Sequence, residues 1–505
     1  ALAKKKITKK INGIFSFTND GNPLMGETSI KGLWTANAVW ITHAGGVGKA
    51  MAEWIINGEP ELDVREGDIN RFHKHHHVRK YLRARGKQNY KEVYDIIHPL
   101  QQMDQPRPLR RSPFYSRLGD QKAKFFEVMG WERPQWYDSN KDLLKGKNFP
   151  NRSGWSAKYW SPIQAAEHLT TRQTGALFDI TGFVKIEISG KGALALLQKV
   201  CTNNIDVKVG KVVYTVISNI YGGIKSDLTV SRLEEDKFWI LAGAGNGMID
   251  LSWFKENAPN DGSVTIIDWT SAYAGVGMWG PNSRKVLESL CEDDDVSNEA
   301  FPFFSIKNLS ISHVPCIAVR ISYIGELGWE IYTPTEYGLT LWDELKDRSQ
   351  EFNMICSGAG AFESLRLEKG YRSLGADIHT NSNPYEAGLG FTVKLKKEPN
   401  FIGKDALINL KQEPLKQKLC CMVMEGSEGM ALGKEPIYDE SSKAVGYVTS
   451  TNYGYYVDKH ILYGYLPSTH SEEGTKLEVD YFGKRYPIMV TKEPLLDPEN
   501  KRLKS

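Results

Sequence analysis

The sequence predicts an α+β protein of several domains, and three patterns carry that expectation. Between residues 154 and 410, short apolar strands (177–180, 184–188, 213–216, 238–242) are interleaved with amphipathic helical segments (193–200, 248–257, 283–290, 339–349). From 419 to 496 strand follows short strand, with glycine turns at Gly446, Gly454, Gly464 and Gly483, the pattern of a small antiparallel barrel. At 505 residues the chain is also too long for one ordinary domain.

Taken in order, residues 1–65 read as strand, turn, strand, turn, helix. A strand is expected at 14–17, a turn at Asn19-Asp20-Gly21 and a second strand at 33–39. His43-Ala44-Gly45-Gly46-Val47-Gly48 then opens a helix that runs to 56 and stops at Asn57-Gly58. A glycine-rich turn feeding a helix exposes backbone N–H groups at the positive end of the helix dipole, which suits a phosphate or an electron-rich ring edge. Residues 66–153 differ in character, with a basic helical stretch at 71–85, a Pro- and Arg-rich run at 106–113 and aromatics at 125–136. They read as a connector that packs on its neighbours. His73, His75, His76 and His77 form no expected metal site, because consecutive side chains in regular structure do not converge on one ion; a solvated helix start is the expectation. The boundaries are thus 1–65, 66–153, 154–410 and 411–505.

Composition narrows the partners. Charged residues make up 25% and hydrophobic ones 41%, and 64 basic against 61 acidic residues leave a net charge of only +3. No general attraction to nucleic acid follows. No apolar run approaches the roughly 18 residues that span a bilayer, so no membrane role is expected. The six cysteines have no ligand spacing and read as reduced and mostly buried, with Cys420 and Cys421 on opposite faces of a strand. A reducing compartment is expected: the cytoplasm or, in a eukaryote, the mitochondrial matrix. The opening Ala-Leu-Ala-Lys-Lys-Lys reads as the middle of a longer chain.

Chemistry concentrates where carboxylates stand beside glycines in β-rich segments: Asp227 in Gly222-Gly-Ile-Lys-Ser-Asp-Leu-Thr-Val230, and Glu326 and Glu330 in Arg320-Ile-Ser-Tyr-Ile-Gly-Glu-Leu-Gly-Trp-Glu-Ile331. Glycine lets the backbone bend or approach a ligand. A carboxylate there can grip paired N–H donors on a flat heterocycle or manage a proton. With Cys201-Thr-Asn-Asn204, Val213-Tyr-Thr215, 275–281, 364–372 and 383–390, these segments resemble the tetrahydrofolate-binding core of the glycine-cleavage aminomethyltransferases, or T-proteins. Upstream, 16–27, 32–34 and 43–48 resemble the C-terminal piece of the flavin domain of dimethylglycine and sarcosine dehydrogenases. Residues 68–134 resemble their central domain.

The resemblance implies a T-protein-like folate domain followed by a small antiparallel β-barrel and preceded by the C-terminal piece of a flavin amine oxidoreductase domain. It implies tetrahydrofolate as cofactor, an N-methyl amine as substrate, and FAD held mostly by an N-terminal flavin domain this sequence does not contain; no G-x-G-x-x-G follows a predicted strand. Residue by residue it implies Asp227 at the reactive pterin nitrogens and Glu330 on the pterin amino group. Tyr214 and Tyr323 would stack nearby, and Arg366 would brace the site through Glu368 or Asp377. His43, Gly45, Gly46 and Gly48 would lie against the flavin. Two positions depart from the T-protein pattern: Ser226 replaces the first of two acids, and Phe362 replaces an arginine that meets folate. The activity implied is oxidation of an N-methylglycine with capture of the methyl carbon as 5,10-methylene-tetrahydrofolate. The alternatives are a regulatory binding protein similar to the pyruvate dehydrogenase phosphatase regulatory subunit, and a non-oxidative folate-dependent transferase or demethylase.

Overall fold

The computed structural model describes residues 6–426 and 429–505. It divides into two compact units, one reaching to Ile97 and including Met103–Pro106, the other formed by His98–Gln102 and Arg107–Ser505.

In the first unit β1 (Leu24–Glu27) and β2 (Trp34–Asn37) pair as an antiparallel hairpin, followed by α1 (Ala44–Asn57) and α2 (Arg79–Glu92). Gly58, at φ +86°, ends α1 and returns its N–H to the Trp54 carbonyl, a left-handed stop that glycine adopts without strain. A small core of Met25, Ala50 and Met51 is closed by Trp34 and Trp54, whose rings meet edge to face at 5.9 Å. Four expectations need correction. The strand at 14–17 does not form: β1 and β2 make a two-stranded sheet that 14–17 does not join. Gly45, Gly46 and Gly48 lie inside α1, and the turn before it is the 3-10 segment Ile41–His43. The basic helix begins at Arg79, not 71, because Val78 is extended and residues 69–71 and 74–77 form separate 3-10 turns. His76 is accordingly buried between Phe72 and Tyr81, not solvated; burial, with His75 and His73 nearby, holds it down to about 3.

The second unit opens with α3 (Tyr115–Asp120), the hairpin β3 (Ala123–Val128) and β4 (Trp131–Tyr137), and α4 (Ile163–Gln173). Its centre is a pair of facing sheets made from β5 (Ala176–Asp179), β6 (Val184–Ser189), β7 (Val212–Ser218), β8 (Ile224–Glu234), β9 (Lys237–Ala242), β10 (Thr265–Asp268), β11 (Tyr273–Trp279), β12 (Ile306–Ile311), β13 (Val314–Val319), β14 (Gly328–Pro334) and β15 (Ile355–Cys356). One sheet has the order β10-β6-β9-β8-β7, the other β12-β13-β14-β11-β5-β15. Helices α5 (Ala193–Val200) and α6 (Gly247–Asn257) cover the outer face of the first through Leu197, Val200 and Phe254. Helices α7 (Ser283–Glu288) and α8 (Gly338–Glu351) cover the second through Leu287, Leu341 and Trp342. Between the sheets lies a shared core that includes Phe178, Trp239, Trp279 and Tyr332. These strands and helices fall within a few residues of where hydrophobic period places them, because each alternates between a helix-covered face and this inner layer.

After α9 (Ala359–Glu368) and α10 (Lys404–Gln412), six strands close a barrel in the order β16-β19-β18-β17-β20-β21. They are β16 (Gln417–Met424), β17 (Pro436–Tyr438), β18 (Ala444–Gly454), β19 (Lys459–Pro467), β20 (Lys476–Tyr481) and β21 (Lys484–Thr491). Cys420 joins the barrel interior with Met422 and Leu462, whereas Cys421 packs with Leu367 of α9 on the other face. All six cysteines are free and buried. The short helix α11 (Lys501–Lys504) ends the chain. Among the described residues no helix is long and apolar enough to cross a membrane.

Candidate functional site in the layer between the two sheets

Strand β8 builds one wall. Leu228 and Val230 point outward to α5 and α6, so Asp227, Thr229 and Ser231 point to the inner layer, the side on which the paired strand β9 places Trp239 and Leu241. Tyr214 on β7 stands opposite Thr229 and donates its hydroxyl to Asp227 Oδ2 at 2.9 Å. Burial, reinforced by the Asp227 charge, raises the Tyr214 phenol well above its usual value, so it remains a proton donor to the carboxylate. The hydroxyls of Thr229 and Ser231 are buried without a hydrogen-bond partner among the described residues. Polar groups left so in a dry layer cost about 1–3 kcal/mol each.

Strand β14 builds the facing wall. Trp329 and Ile331 pack outward under α7 and α8, which turns Glu330 and Tyr332 inward. Glu330 is 5% exposed and accepts the Tyr332 hydroxyl at 2.6 Å. It sits opposite Gly277 of β11, where a Cβ would collide with the Trp279 ring. Close packing at Gly277 thus lets Trp279 fold beside the carboxylate. Gly275, Gly277 and Gly280 have dinucleotide-fingerprint spacing, but the first two lie within β11 and form no phosphate-binding turn.

The sequence reading missed Lys185. Its side chain is wholly buried; Nζ donates to the carbonyls of Thr181 (2.8 Å) and Phe183 (2.7 Å) and lies 5.6 Å from the Tyr332 ring centre. Burial pushes this lysine down to about 7, against the pull of Asp179, Asp268 and Glu330. Burial likewise pushes Glu330 up to about 7, against the Tyr332 bond and Lys185. The carboxylate therefore changes charge near neutrality. Val184-Lys-Ile-Glu-Ile188 alternates as a half-exposed strand does, so no local signal marked it.

Tyr323, in the loop before β14, stacks on Phe362 at 5.4 Å, and Phe362 contacts Phe178 and Phe183. Phe362 thereby makes an aromatic wall where the resemblance placed an arginine. Arg366 faces protein partners, pairing with Asp377 at 2.7 Å and with Glu363, and donating to Ser450. Of its two expected braces Asp377 is the one found, since Glu368 is taken by Arg172 (3.0 Å) and His168 (3.1 Å). Glu326 is buried in the same network, 2.8 Å from both Arg172 and Arg502. His43, Gly45, Gly46 and Gly48 lie on an exposed surface of the other unit.

Residues 114–397 match the model of the GCVT N-terminal domain, 57–112 that of the FAD dependent oxidoreductase central domain, and 417–497 that of the glycine cleavage T-protein C-terminal barrel domain. The chain is 34% identical to human mitochondrial dimethylglycine dehydrogenase over 99% of its own length, but spans only 58% of that relative. It is 31% identical to an aminomethyltransferase of Symbiobacterium thermophilum, covering 78% of this chain and 99% of that one. The crystal structure of aminomethyltransferase T of the Bartonella henselae glycine cleavage system shares the fold, with a TM-score of 0.66 and 24% identity over 77% of this chain and 98% of that one. The chain belongs to the glycine cleavage T-protein family, in the domain arrangement of the dimethylglycine and sarcosine dehydrogenases, where an FAD-dependent-oxidoreductase segment precedes the T-protein domain and its barrel.

Proposed function

We propose that this chain is the tetrahydrofolate-binding part of an FAD-dependent N-methylglycine dehydrogenase acting on dimethylglycine or sarcosine, and that its inter-sheet layer is where the oxidised methyl carbon becomes 5,10-methylene-tetrahydrofolate. The observation that carries this reading is the placement of two carboxylates, Asp227 and Glu330, on inward faces of opposed sheets, with Thr229 and Ser231 hydroxyls along one wall that have no partner among the described residues. Such a set fits a flat, donor-rich heterocycle better than a wholly apolar ligand. Glu330 offers acceptor positions beyond the one Tyr332 uses, matching paired N–H groups of a pterin edge. Tetrahydrofolate, when bound, supplies the nucleophilic nitrogens that take up the one-carbon unit. Asp227, oriented by Tyr214, holds or accepts a proton at Oδ2. Trp239, Phe178 and Phe362 exclude water from the reacting region.

On this reading His43, Gly45, Gly46 and Gly48 lie against the flavin. The positions a Cβ would take on the three glycines meet nothing within 4 Å, so a flat ring can approach the first turns of α1. The test uses the amine-oxidising enzyme that contains this chain. Asp227→Asn should leave flavin reduction by the amine within about twofold, while methylene-tetrahydrofolate falls and free formaldehyde rises correspondingly. Loss of flavin reduction would contradict the division into two sites. An enzyme preparation that oxidises no N-methylglycine would favour the regulatory or non-oxidative alternatives.

A further inference from the structure

Arg133 stands on β4, opposite Phe126 in the hairpin, at the junction of two narrow clefts of about 20 Å³ each that share Arg133, Asp179, Ile180 and Phe183. The second cleft is walled by Phe178 and Phe362, and Phe362 also stacks on Tyr323. The guanidinium is poorly satisfied. Its Nε is buried with no hydrogen-bond partner among the described residues. The nearby acids are engaged elsewhere: Asp179 accepts the Thr181 N–H at 2.9 Å, and Glu363 pairs with Arg366. Burial lowers the Arg133 pKa from its ordinary value, against the pull of Glu363 and Asp179. A desolvated guanidinium without a partner is costly, and a carboxylate matches its fork of donors. One guanidinium beside Asp179 suits a monoanionic carboxylate better than a phosphate dianion.

We propose that Arg133 anchors the carboxylate of the ligand held in this layer. The proposal rests on the folate-site reading. Two ligands of that reaction carry a carboxylate: tetrahydrofolate, on its glutamyl tail, and the N-methylglycine substrate. The tail is the occupant expected here, because the cleft adjoins the aromatic wall of Tyr323 and Phe362.

Calorimetric titration of the 505-residue chain with tetrahydrofolate, with tetrahydropteroate (which lacks the glutamate) and with dimethylglycine separates the cases. Arg133→Gln should weaken tetrahydrofolate by about tenfold or more and leave tetrahydropteroate unchanged, and Arg133→Lys should restore part of the loss. A loss confined to dimethylglycine would keep the carboxylate anchor but assign it to the amine. Unchanged affinity for all three, or an equal loss for all three, would overturn the anchor while leaving the folate site standing. A parent chain that binds none of the three would overturn the site reading, and the anchor with it.

Discussion

Glu330 and Lys185 show how single residues acquire function from burial. Each is pushed toward neutrality, one up and one down, to about 7. Because the folded-state value of Glu330 exceeds its ordinary 4.5, the folded protein holds the extra proton, and this group removes stability as pH rises from about 4.5 to about 7. Ligand binding has the opposite sign. N–H donors on a ligand require the carboxylate, so tetrahydrofolate affinity should rise with pH through about 7. Tyr332 supplies the hydrogen bond that favours the charged form. Tyr332→Phe should therefore move the midpoint of the affinity–pH profile upward. A midpoint that stays in place would separate Glu330 from ligand binding.

At the scale of elements, the site depends on strands whose alternation serves two cores. Gly277 on β11 has no room for a side chain, since a Cβ there would overlap the Trp279 ring. Gly277→Ala should cost about 1–3 kcal/mol or more through overpacking, read as a fall in the urea midpoint with unchanged slope; a cost below about 0.5 kcal/mol would show that the inner layer is loosely packed. The same alternation explains what the sequence revealed. Asp227 and Glu330 stood out because glycines precede each in a β-rich segment and because those segments resemble the T-protein core. Lys185 was not, since Val184-Lys-Ile-Glu-Ile188 reads as a half-exposed strand, and only the second sheet stacked on that face buries it. The expected strand at 14–17 failed for the converse reason: an apolar run becomes a strand only where a ladder accepts it.

For the molecule as a whole, the inward-facing site is held by charges buried around it. Arg172 of α4 donates to Glu326 and to Glu368 of α9, and Arg502 of α11 reaches the same Glu326. Helix, loop and chain terminus are thereby tied at the base of the loop that carries Tyr323 and leads into β14. Such a network contributes specificity of arrangement more than net stability. Glu326 reads in the sequence as one more carboxylate beside glycines, because its partners lie 154 and 176 residues away, a separation that no local pattern encodes. The central claim is that this scaffold presents Glu330 to a folate. Calorimetric titration of the chain with tetrahydrofolate, comparing the parent with Glu330→Ala, tests it most directly. Loss of one charge-assisted contact should weaken binding by about 1.5–3 kcal/mol, with Tyr332 and Gly277 unaltered; equal affinities in the two proteins would contradict the account.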